Sequence, residues 1–372
     1  MQEKRCCVII IPALDPDDNL VKYVEALVQE GFRRIIIVND GSTKEKEAIF
    51  EQLTTFPNSE ITVLQHVINC GKGRALKNAF NFFLQRYSDD SEIIGAITVD
   101  SDGQHAISDV INLEHYMKNT ASKCGLVLGV RDFNQPDVPP KSKWGNKMTS
   151  KLFHLLYGVK ISDTQTGLRG FPKAIIKNFL TLSGERFEYE THMLICCVQK
   201  KIKITELKIQ TLYFSNNNGT HFQPIRDSWC IYRLLLASFL KYCYSSISSA
   251  FIDLGVFQIF YLFFREFKAI NAIWVATACA RIISSLYNYC INRTFVFKSA
   301  VRIHRSLLRY YSLCVVQLIC SAAFVSLVHL CIVQLPVVLI KILVDTILFL
   351  ISYKVQQKYV FANTQNNRED QL

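Results

Sequence analysis

The sequence predicts a mostly parallel α/β domain followed by a domain of four transmembrane helices, and three observations support this fold class. Short apolar runs alternate with amphipathic stretches in the first half of the chain, which is typical of a parallel sheet covered on both faces. Four long apolar stretches follow residue 245. Basic residues exceed acidic residues by eight after residue 240 but by only three before it, so the positive charge accompanies the apolar part.

Five apolar runs predict the strands of the sheet. The first occupies 6–14 and is followed by a helical pattern at 17–31. The other four lie at 33–40, 61–67, 92–100 and 124–130. Ligands of such sheets bind beyond the carboxyl ends of the strands, so we expect the functional site around Asp40 and Asp100, which end two of these runs.

Four apolar stretches predict the membrane helices, at 247–264, 269–291, 310–333 and 335–353. Each is long enough to cross about 30 Å of hydrocarbon as a helix. Burial inside a large soluble domain is the alternative, but the close spacing of four such stretches disfavours it. The linker between the second and third stretches has five basic residues and no acidic residue. This pattern predicts that the linker, both termini and the first domain are cytoplasmic.

Ionisable residues inside the predicted membrane helices indicate ion pairs. Lys341 and Asp345 are four residues apart, so they face each other on one helix. Asp253 and Arg281 lie on the first and second helices, where a pair between helices is expected. Charges in lipid are costly unless they are paired or face a cavity. Structural pairing and a polar path for a lipid head group are therefore the two interpretations.

The net charge of +11 and the cysteine pattern limit the classes of function. Because the charge surplus lies in the apolar part, it indicates a membrane surface and no nucleic-acid partner. The 13 cysteines are scattered without a C-x-x-C motif, so we expect them to pack as small apolar side chains rather than to form disulfides or a zinc framework. The N-terminus has no long apolar region, so no cleaved signal peptide is expected.

Two aspartates spaced one residue apart end the run at 92–100. In an extended chain Asp100 and Asp102 point to one side, where two carboxylates repel and raise each other's pKa. A divalent cation removes this conflict, and carboxylate and phosphate oxygens suit Mg²⁺ or Mn²⁺. An N-capping turn before a helix at 107–118 is the alternative.

Several motifs resemble those of family 2 glycosyltransferases of the GT-A fold. They are IIPALDPDDNL, IIIVNDGST, NCGKGRALKNAF and VDSDGQH, in that order along the chain. The later motifs LGVRDF, ISDTQTGLRGF and GERFEYETHML look like the branch that makes polyprenyl-phosphate sugars, the dolichyl-phosphate mannose synthase type. This resemblance covers roughly 6–235, and DTQTGLRGF with RFEYE is its most specific part. It implies a GT-A catalytic domain, with a Rossmann-like, mostly parallel sheet.

The last part of the chain resembles the GtrA-like membrane family. The segment SSLYNYCINRTFVFK at 284–298 carries that resemblance, and SYKVQQKYVF at 352–361 is similar to it. Together the two resemblances imply four domains or segments. They are a GT-A domain at 1–225, an interfacial amphipathic segment at 226–246, a GtrA-like domain at 247–361 and a polar tail at 362–372.

The glycosyltransferase resemblance implies roles for twelve residues. Those for the nucleotide-sugar are Pro12, Ala13, Asp40, Lys72, Asp100 and Asp102. Those for the metal, Mg²⁺ or Mn²⁺, are Asp100, Asp102 and Gln104. Those for catalysis are Asp102, Asp163, Gln165 and Arg131. Those for the acceptor phosphate are Arg131, His221 and Arg226.

Some of these positions have an ordinary structural alternative. Asn39 stands where many relatives have a second aspartate, and an amide still hydrogen-bonds a base. A surface turn is the alternative for Gly71–Gly73, a helix-capping loop for 163–165, and a surface histidine for His221. A solvated helix face is the alternative for Glu188 and Glu190.

The resemblance implies an inverting transfer of a sugar, with UDP-glucose as the first choice of donor, to a polyprenyl phosphate such as undecaprenyl phosphate. The product would form at the cytoplasmic face of the cell membrane and serve the modification of cell-surface glycans. Mannose, galactose and N-acetylglucosamine are the other sugars. The expected partners are the nucleotide-sugar, the lipid phosphate and the membrane, and a homo-oligomer is left open.

Three other functions compete with this one. A processive polysaccharide synthase would carry a Q-x-x-R-W motif, which the sequence lacks. A nucleotidyltransferase also pairs a nucleotide-binding fold with carboxylates. A flippase for a lipid-linked sugar, with a regulatory glycosyltransferase-like domain, is the third, and the intact Asp100 and Asp102 pair disfavours it.

Overall fold

The chain forms two compact units, which divide between Leu235 and Leu236. The computed structural model describes residues 4–120, 125–133, 140–210, 224–265, 272–332 and 335–362. The division between the units lies inside the segment that we predicted to be interfacial. The domain boundaries inferred from the sequence stay a prediction.

A seven-stranded sheet forms the centre of the first unit, in the order β3-β2-β1-β4-β6-β5-β7. The strands are β1 (Cys7–Ala13), β2 (Arg34–Asn39), β3 (Glu60–Gln65), β4 (Gly95–Thr98), β5 (Leu126–Arg131), β6 (Arg169–Pro172) and β7 (Ile204–Ile209). Only β6 runs antiparallel, between β4 and β5. The predicted mostly parallel sheet is therefore confirmed.

Seven helices belong mainly to the first unit. They are α1 (Asp18–Gln29), α2 (Glu47–Thr54), α3 (Lys72–Tyr87), α4 (Ile107–Thr120), α5 (Pro140–Tyr157), α6 (Lys173–Ile176) and α7 (Glu188–Gln199). The first shows why the sequence folds in this way. The Asp17 carboxylate accepts the backbone N–H of Asn19 and caps α1. The helix then buries Leu20, Val24 and Leu27 on one face, at the spacing of a helical stripe.

Two strands were not predicted from the sequence. β6 has only four residues and includes Arg169 and Pro172, so it lacks an apolar run. β7 alternates weakly and is mostly half-buried. Both strands extend the sheet beyond β4 and place the loop before β6 at the same edge as the ends of β4 and β5.

Four helices make up the second unit, with α8 starting in the first. They are α8 (Pro224–Phe264), α9 (Ala272–Ile291), α10 (Ile303–Cys331) and α11 (Val337–Val355). The predicted interfacial segment and first span are one continuous helix, α8. Each predicted apolar stretch thus coincides with a helix.

Two described helices, Arg226–Phe264 and Ile303–Cys331, are long and apolar enough to cross a membrane. In their most apolar windows 0% and 6% of the residues are buried, so protein covers most of these side chains only in part or not at all. The helix α9 carries Arg281 and Asn288, and α11 has three charged residues. These residues lower the apolar character of both helices, so a count of four spans stays a prediction.

The second unit contains the same pattern twice. Leu-Lys-Tyr at 240–242 in α8 matches Leu-Arg-Tyr at 308–310 in α10. The end of α9 at 288–297 matches the end of α11 at 352–361, and both stretches finish in a wide π-helical turn followed by phenylalanine. The pairs α8–α9 and α10–α11 are therefore two related hairpins.

Equivalent contacts join the two hairpins. Each hairpin contributes two tyrosines and one phenylalanine, and equivalent ring pairs have almost equal distances. The Tyr242–Phe297 and Tyr310–Phe361 contacts lie within a hairpin, and the others join the two hairpins. Tyr242–Tyr353 at 5.3 Å corresponds to Tyr310–Tyr289 at 5.5 Å. Tyr242–Phe297 at 6.3 Å corresponds to Tyr310–Phe361 at 6.5 Å. Phe297–Tyr353 corresponds to Phe361–Tyr289, and both distances are 5.8 Å. Where the two halves meet, Asn292 donates to Gln356 at 3.0 Å. Hairpins that exchange contacts in this way have an approximate two-fold relation.

Candidate active site

A cleft of about 470 Å³ opens at the carboxyl ends of β1, β2, β4 and β5. This is the edge at which a parallel sheet binds its ligands. Nine of the twelve residues proposed from the sequence line the cleft. They are Pro12, Ala13, Asp40, Lys72, Asp100, Asp102, Gln104, Arg131 and Gln165.

Of the other three proposed residues, the two that the structure describes, Asp163 and Arg226, do not line this cleft. Asp163 is fully buried behind Arg131. Arg226 is exposed, near the start of α8. His221 lies outside the described residues, so its role as a ligand of the acceptor phosphate stays a prediction.

Asp40 organises the turn that precedes α3. Its carboxylate accepts the backbone N–H groups of Cys70 at 2.9 Å and Gly71 at 2.7 Å. It also accepts a hydrogen bond from His66 Nδ1 at 2.7 Å. Because Asp40 is almost fully buried, these bonds hold the turn in place. A contact with the nucleotide stays a prediction for this residue.

Two glycines let the segment at 185–189 pack on the start of α3. Gly71 has a φ of +98°, and a Cβ there would lie 2.4 Å from the carbonyl oxygen of Glu185. A Cβ on Gly73 would lie 2.6 Å from the Cβ of Tyr189. The Gly-Lys-Gly motif is therefore required by close packing, which fixes the position of Lys72.

Lys72 forms ion pairs with two carboxylates at the base of the cleft. Its ammonium lies 2.7 Å from Asp100 and 3.1 Å from Glu190. Burial by itself would lower the pKa of Lys72, but the charges of Asp100 and Glu190 outweigh burial and raise that pKa. Lys72 is thus a permanent positive charge in the cleft.

Asp100 is held between two cationic or hydrogen-bonding groups. Lys72 contacts one carboxylate oxygen, and His105 Nε2 lies 3.2 Å from the other. Burial would raise the pKa of Asp100, but Lys72 and His105 lower it below its usual range. Gly167 makes room for this carboxylate, because a Cβ there would lie 2.2 Å from its Oδ2.

Asp102 has the opposite electrostatic environment. Burial raises its pKa, and the negative charge of Asp100 raises it further. Its Oδ1 accepts the backbone N–H of Gln104 at 3.1 Å. This bond closes a short local turn, but it does not cap α4, which begins at Ile107. The second oxygen of Asp102 has no hydrogen-bond partner among the described residues.

These three residues suit a hard divalent cation. Asp100, Asp102 and Gln104 offer carboxylate and amide oxygens, which Mg²⁺ and Mn²⁺ prefer. The pKa of Asp102 is raised first by burial and then by the negative charge of Asp100, while Gln104, His105 and Lys72 act in the opposite direction. The residues present therefore fit the metal that the sequence predicted.

Arg131 is oriented by a two-point ion pair with Asp163. The Arg131 Nε and Nη2 atoms lie 2.7 Å and 3.0 Å from the two oxygens of Asp163. Asp163 also accepts the backbone N–H of Gln165 at 3.1 Å. The aspartate thus fixes two residues that line the cleft, Arg131 and Gln165, without lining the cleft itself.

Sequence reasoning missed a buried arginine that joins the loop at 163–168 to α7. Arg169 is fully buried and donates to the carbonyl oxygens of Thr166, Glu190 and Thr164 at 2.8, 2.8 and 3.3 Å. The run Gly-Leu-Arg-Gly-Phe belonged to the most specific motif, but no role was predicted for its arginine. Glu190 is buried as well, so a solvated face is wrong for this residue.

Glu188 has a structural role at the start of α7. Its side chain accepts the backbone N–H groups of Glu185 and Arg186, at 3.0 and 3.3 Å. It thus satisfies donors just before α7 that would otherwise lack partners. The alternative proposed from the sequence, a solvated face, does not describe this carboxylate either.

Comparison with protein families gives two matches. Residues 8–180 match the glycosyl transferase family 2 model, and 241–361 match the GtrA/DPMS transmembrane domain model. The first unit thus contains a family 2 glycosyltransferase domain, and the second contains a GtrA/DPMS transmembrane domain. Both resemblances found in the sequence are confirmed.

Two curated relatives match more than half of this chain. One is a UDP-N-acetylglucosamine–dolichyl-phosphate N-acetylglucosaminyltransferase of Methanococcus voltae, which is 29% identical over an alignment of 230 residues. The match covers 57% of this chain and 89% of the relative. The other is glycosyltransferase AglJ of Haloferax volcanii, 22% identical over 231 residues, or 60% and 69% of the two chains.

Among solved structures, glucosyl-3-phosphoglycerate synthase of Mycobacterium tuberculosis is similar at 13% identity and a TM-score of 0.45. The match covers 63% of this chain and 79% of the synthase.

Proposed function

We propose that this chain, in which a family 2 glycosyltransferase domain precedes a GtrA/DPMS transmembrane domain, transfers a sugar from a nucleotide-sugar to a polyprenyl phosphate with inversion. One observation carries the proposal. Lys72, Arg131 and the Asp100–Asp102 pair converge in one cleft at the carboxyl edge of a parallel sheet. Such an arrangement suits a substrate that brings a diphosphate and a second phosphate together.

The donor half of the cleft is formed by the ends of β1, β2 and β4. Asp100, Asp102 and Gln104 would hold Mg²⁺ or Mn²⁺, which supplies positive charge to the leaving nucleotide diphosphate when bound. Lys72 adds a fixed positive charge beside them. Groups that are already in place when charge develops stabilise a transition state most effectively.

The acceptor half is formed by Arg131 and the loop at 163–165. A lipid phosphate is anionic at neutral pH, so its oxygen attacks the anomeric carbon without a strong general base. Arg131 would orient that phosphate, and Asp163 holds the arginine in place. Attack opposite to the leaving diphosphate forms the new C–O bond as the old one breaks, which inverts the anomeric centre. Positioning the two phosphates lowers the barrier further.

The finer assignments belong to the same proposal. UDP-glucose is our first choice of donor and undecaprenyl phosphate of acceptor. The Methanococcus voltae relative, whose name includes a dolichyl-phosphate acceptor, supports a lipid phosphate for this chain. His221 and Arg226 are proposed to contact that phosphate. The first unit, both termini and the basic linker at 292–309 are proposed to be cytoplasmic, with four spans.

The test is a transfer assay on membranes that contain the full chain. The membranes are incubated with undecaprenyl phosphate, Mg²⁺ or Mn²⁺ and a panel of labelled nucleotide-sugars, and the lipid fraction is examined for label. A labelled lipid that forms with the natural chain, and not with Asp102→Asn, supports the proposal. Label in lipid with neither chain, for every donor, would contradict it.

A further inference from the structure

Three side chains of types that can bind metals lie close together, and one of them, Asp40, also lines the cleft. Asp40, His66 and Cys70 each offer one ligand atom, and the three atoms lie within 4.8 Å of one another. A carboxylate, an imidazole and a thiolate suit Zn²⁺ and similar ions, whereas Mg²⁺ avoids thiolates. We infer that Asp40, His66 and Cys70 form a second metal site, for a thiophilic divalent cation of the zinc class, separate from the Asp100–Asp102 pair.

The three ligand atoms are already close to the spacing that an ion requires. Zinc ligands lie about 2.0–2.3 Å from the ion, so tetrahedral neighbours are about 3.2–3.8 Å apart. The Asp40 and His66 atoms are 2.7 Å apart and must separate slightly, while Cys70 is partly exposed and its thiol is reachable from solvent. Three protein ligands leave a fourth position for water or a ligand atom.

The surroundings of His66 accommodate the ion. His66 Nε2 lies 2.8 Å from the side-chain nitrogen of Asn78, so Nε2 accepts and Nδ1 carries the proton that is donated to Asp40. With an ion on Nδ1, the proton resides on Nε2, and a rotated Asn78 amide accepts it through oxygen. Partners of this kind orient metal-binding histidines.

The charge change follows from the thiol. When the ion binds, the Cys70 S–H bond breaks, the sulfur–metal bond forms and one proton passes to solvent. The imidazole proton only moves from Nδ1 to Nε2, so binding releases one proton per ion. Affinity should therefore rise with pH.

A second group of candidate ligands is less suited to an ion. Cys6, Cys7 and Glu114 also lie close together. However, Glu114 accepts the backbone N–H groups of Cys6 and Cys7 and pairs with Arg5 at 3.1 Å. Its carboxylate is thus already used by protein groups, and no imidazole is present in the group. Cys6 therefore provides a matched control for Cys70.

An ion at the second site would alter the cleft. Asp40 lines the cleft and holds the turn that leads to Lys72 through the N–H groups of Cys70 and Gly71. Drawing its Oδ1 toward an ion weakens the bond to Cys70 and shifts this turn. Zinc and the donor nucleotide should then weaken each other's binding, by the reciprocity of linked sites. This coupling rests on the proposed function, whereas metal binding does not.

The test uses the full chain, purified in detergent with excess Mg²⁺, and Co²⁺ as a probe with visible absorption. We expect one tight site with a thiolate-to-cobalt charge-transfer band. Cys70→Ser should abolish the band, Cys6→Ser should retain it, and His66→Gln should weaken cobalt affinity by about tenfold or more. A band that persists in Cys70→Ser, or no band in the natural chain, would overturn the second site.

A UDP-binding measurement separates this inference from the proposed function. Zn²⁺ should lower the UDP affinity of the natural chain several-fold and leave that of Cys70→Ser unchanged. Without Zn²⁺, the UDP affinities of the natural chain and of Cys70→Ser should be equal, because the Cys70 side chain does not line the cleft. An unaltered UDP affinity beside an intact cobalt band contradicts the coupling alone. Absence of UDP binding in every variant contradicts the proposed function and not the metal site.

Discussion

The two units of the chain use polar residues in opposite ways. In the first unit, charged groups meet in an open cleft, and Asp102 keeps an oxygen without a partner among the described residues. In the second unit, polar groups pair with each other: Asp253 lies 3.7 Å from Arg281, and Lys341 lies 2.7 Å from Asp345. Both predicted pairs are thus confirmed.

The difference follows from the solvent of each unit. Water screens an unpaired carboxylate at low cost, so a cleft can keep charge available for a ligand. Hydrocarbon does not, and a polar group there must find a protein partner or face a cavity. Charge without a protein partner therefore marks the candidate site in the first unit, whereas the polar groups of the second unit join its helices.

The sharpest way to break this comparison is to remove the charge without a protein partner. Asp102→Asn should lower transferase activity by about two to three orders of magnitude, a loss of the size seen when one stabilising group at developing charge is removed. Circular dichroism should show an unchanged fold. The exposed Asp89→Asn is the matched control and should keep full activity. Comparable activity in Asp102→Asn and the control would refute the metal role.

Removing the fixed cation should have the next largest effect. Lys72→Met leaves Asp100 and Glu190 without their shared ion pair and removes a positive charge from the donor half. We expect a drop in kcat/KM of about tenfold to a hundredfold, with a clear rise in KM for the nucleotide-sugar. The exposed Lys22→Met serves as the control. A change in the KM for lipid alone would contradict the assignment of Lys72 to the donor half of the cleft.

The polar groups of the second unit are tested where the two hairpins meet. Asn292→Leu or Gln356→Leu removes the buried hydrogen bond between the two amides, while Asn292 keeps a bond to Asn288 and Gln356 keeps bonds of its own. We expect each substitution to cost about 1–3 kcal/mol. The double substitution removes both polar groups and should recover part of that loss. Thermal unfolding of the detergent-solubilised chain measures the difference. Strictly additive losses would show that the two amides do not act as a pair.

The smallest expected effect concerns Asp109, a buried carboxylate that accepts the backbone N–H of Gln210 at 2.8 Å. Burial raises the pKa of Asp109, so the folded chain binds its proton more tightly than the unfolded chain does. Its contribution to stability is complete below the unfolded pKa and declines as pH rises through the folded pKa. Asp109→Asn should therefore flatten the fall in Tm between acidic and neutral pH, while Asp89→Asn should not. An equal pH dependence in both variants would contradict this sign.

The sequence predicted the residues that act through charge at strand ends, and missed those that act through packing. Asp100, Asp102 and Asp40 follow apolar runs, and the parallel sheet brings them to one edge. Arg169 gave no such signal, because its three acceptors are backbone carbonyl oxygens that no motif records. His66 was missed for a similar reason, since its bond to Asp40 depends on how two loops fold together.

At two positions, Asp102 and the glycines around Lys72, the structural and the functional interpretation of the sequence were hard to separate. The Asp102 turn and the oxygens offered to a metal coexist, because one carboxylate has two oxygens. The glycines around Lys72 were expected to admit a nucleotide, yet their neighbours are backbone and Cβ atoms of the segment at 185–189. The Gly-Lys-Gly motif therefore indicated the correct region of the cleft, but its glycines are required by tertiary packing.

The repeated hairpin has a consequence for biosynthesis. A ribosome completes α8 and α9 before α10 leaves it, so the first hairpin can enter the bilayer as an independent helical pair. The second then meets a partner that already presents Phe297, the ring that stacks on Phe361 at 5.3 Å. Assembly of the second unit thus becomes two similar steps, the first providing a template for the second.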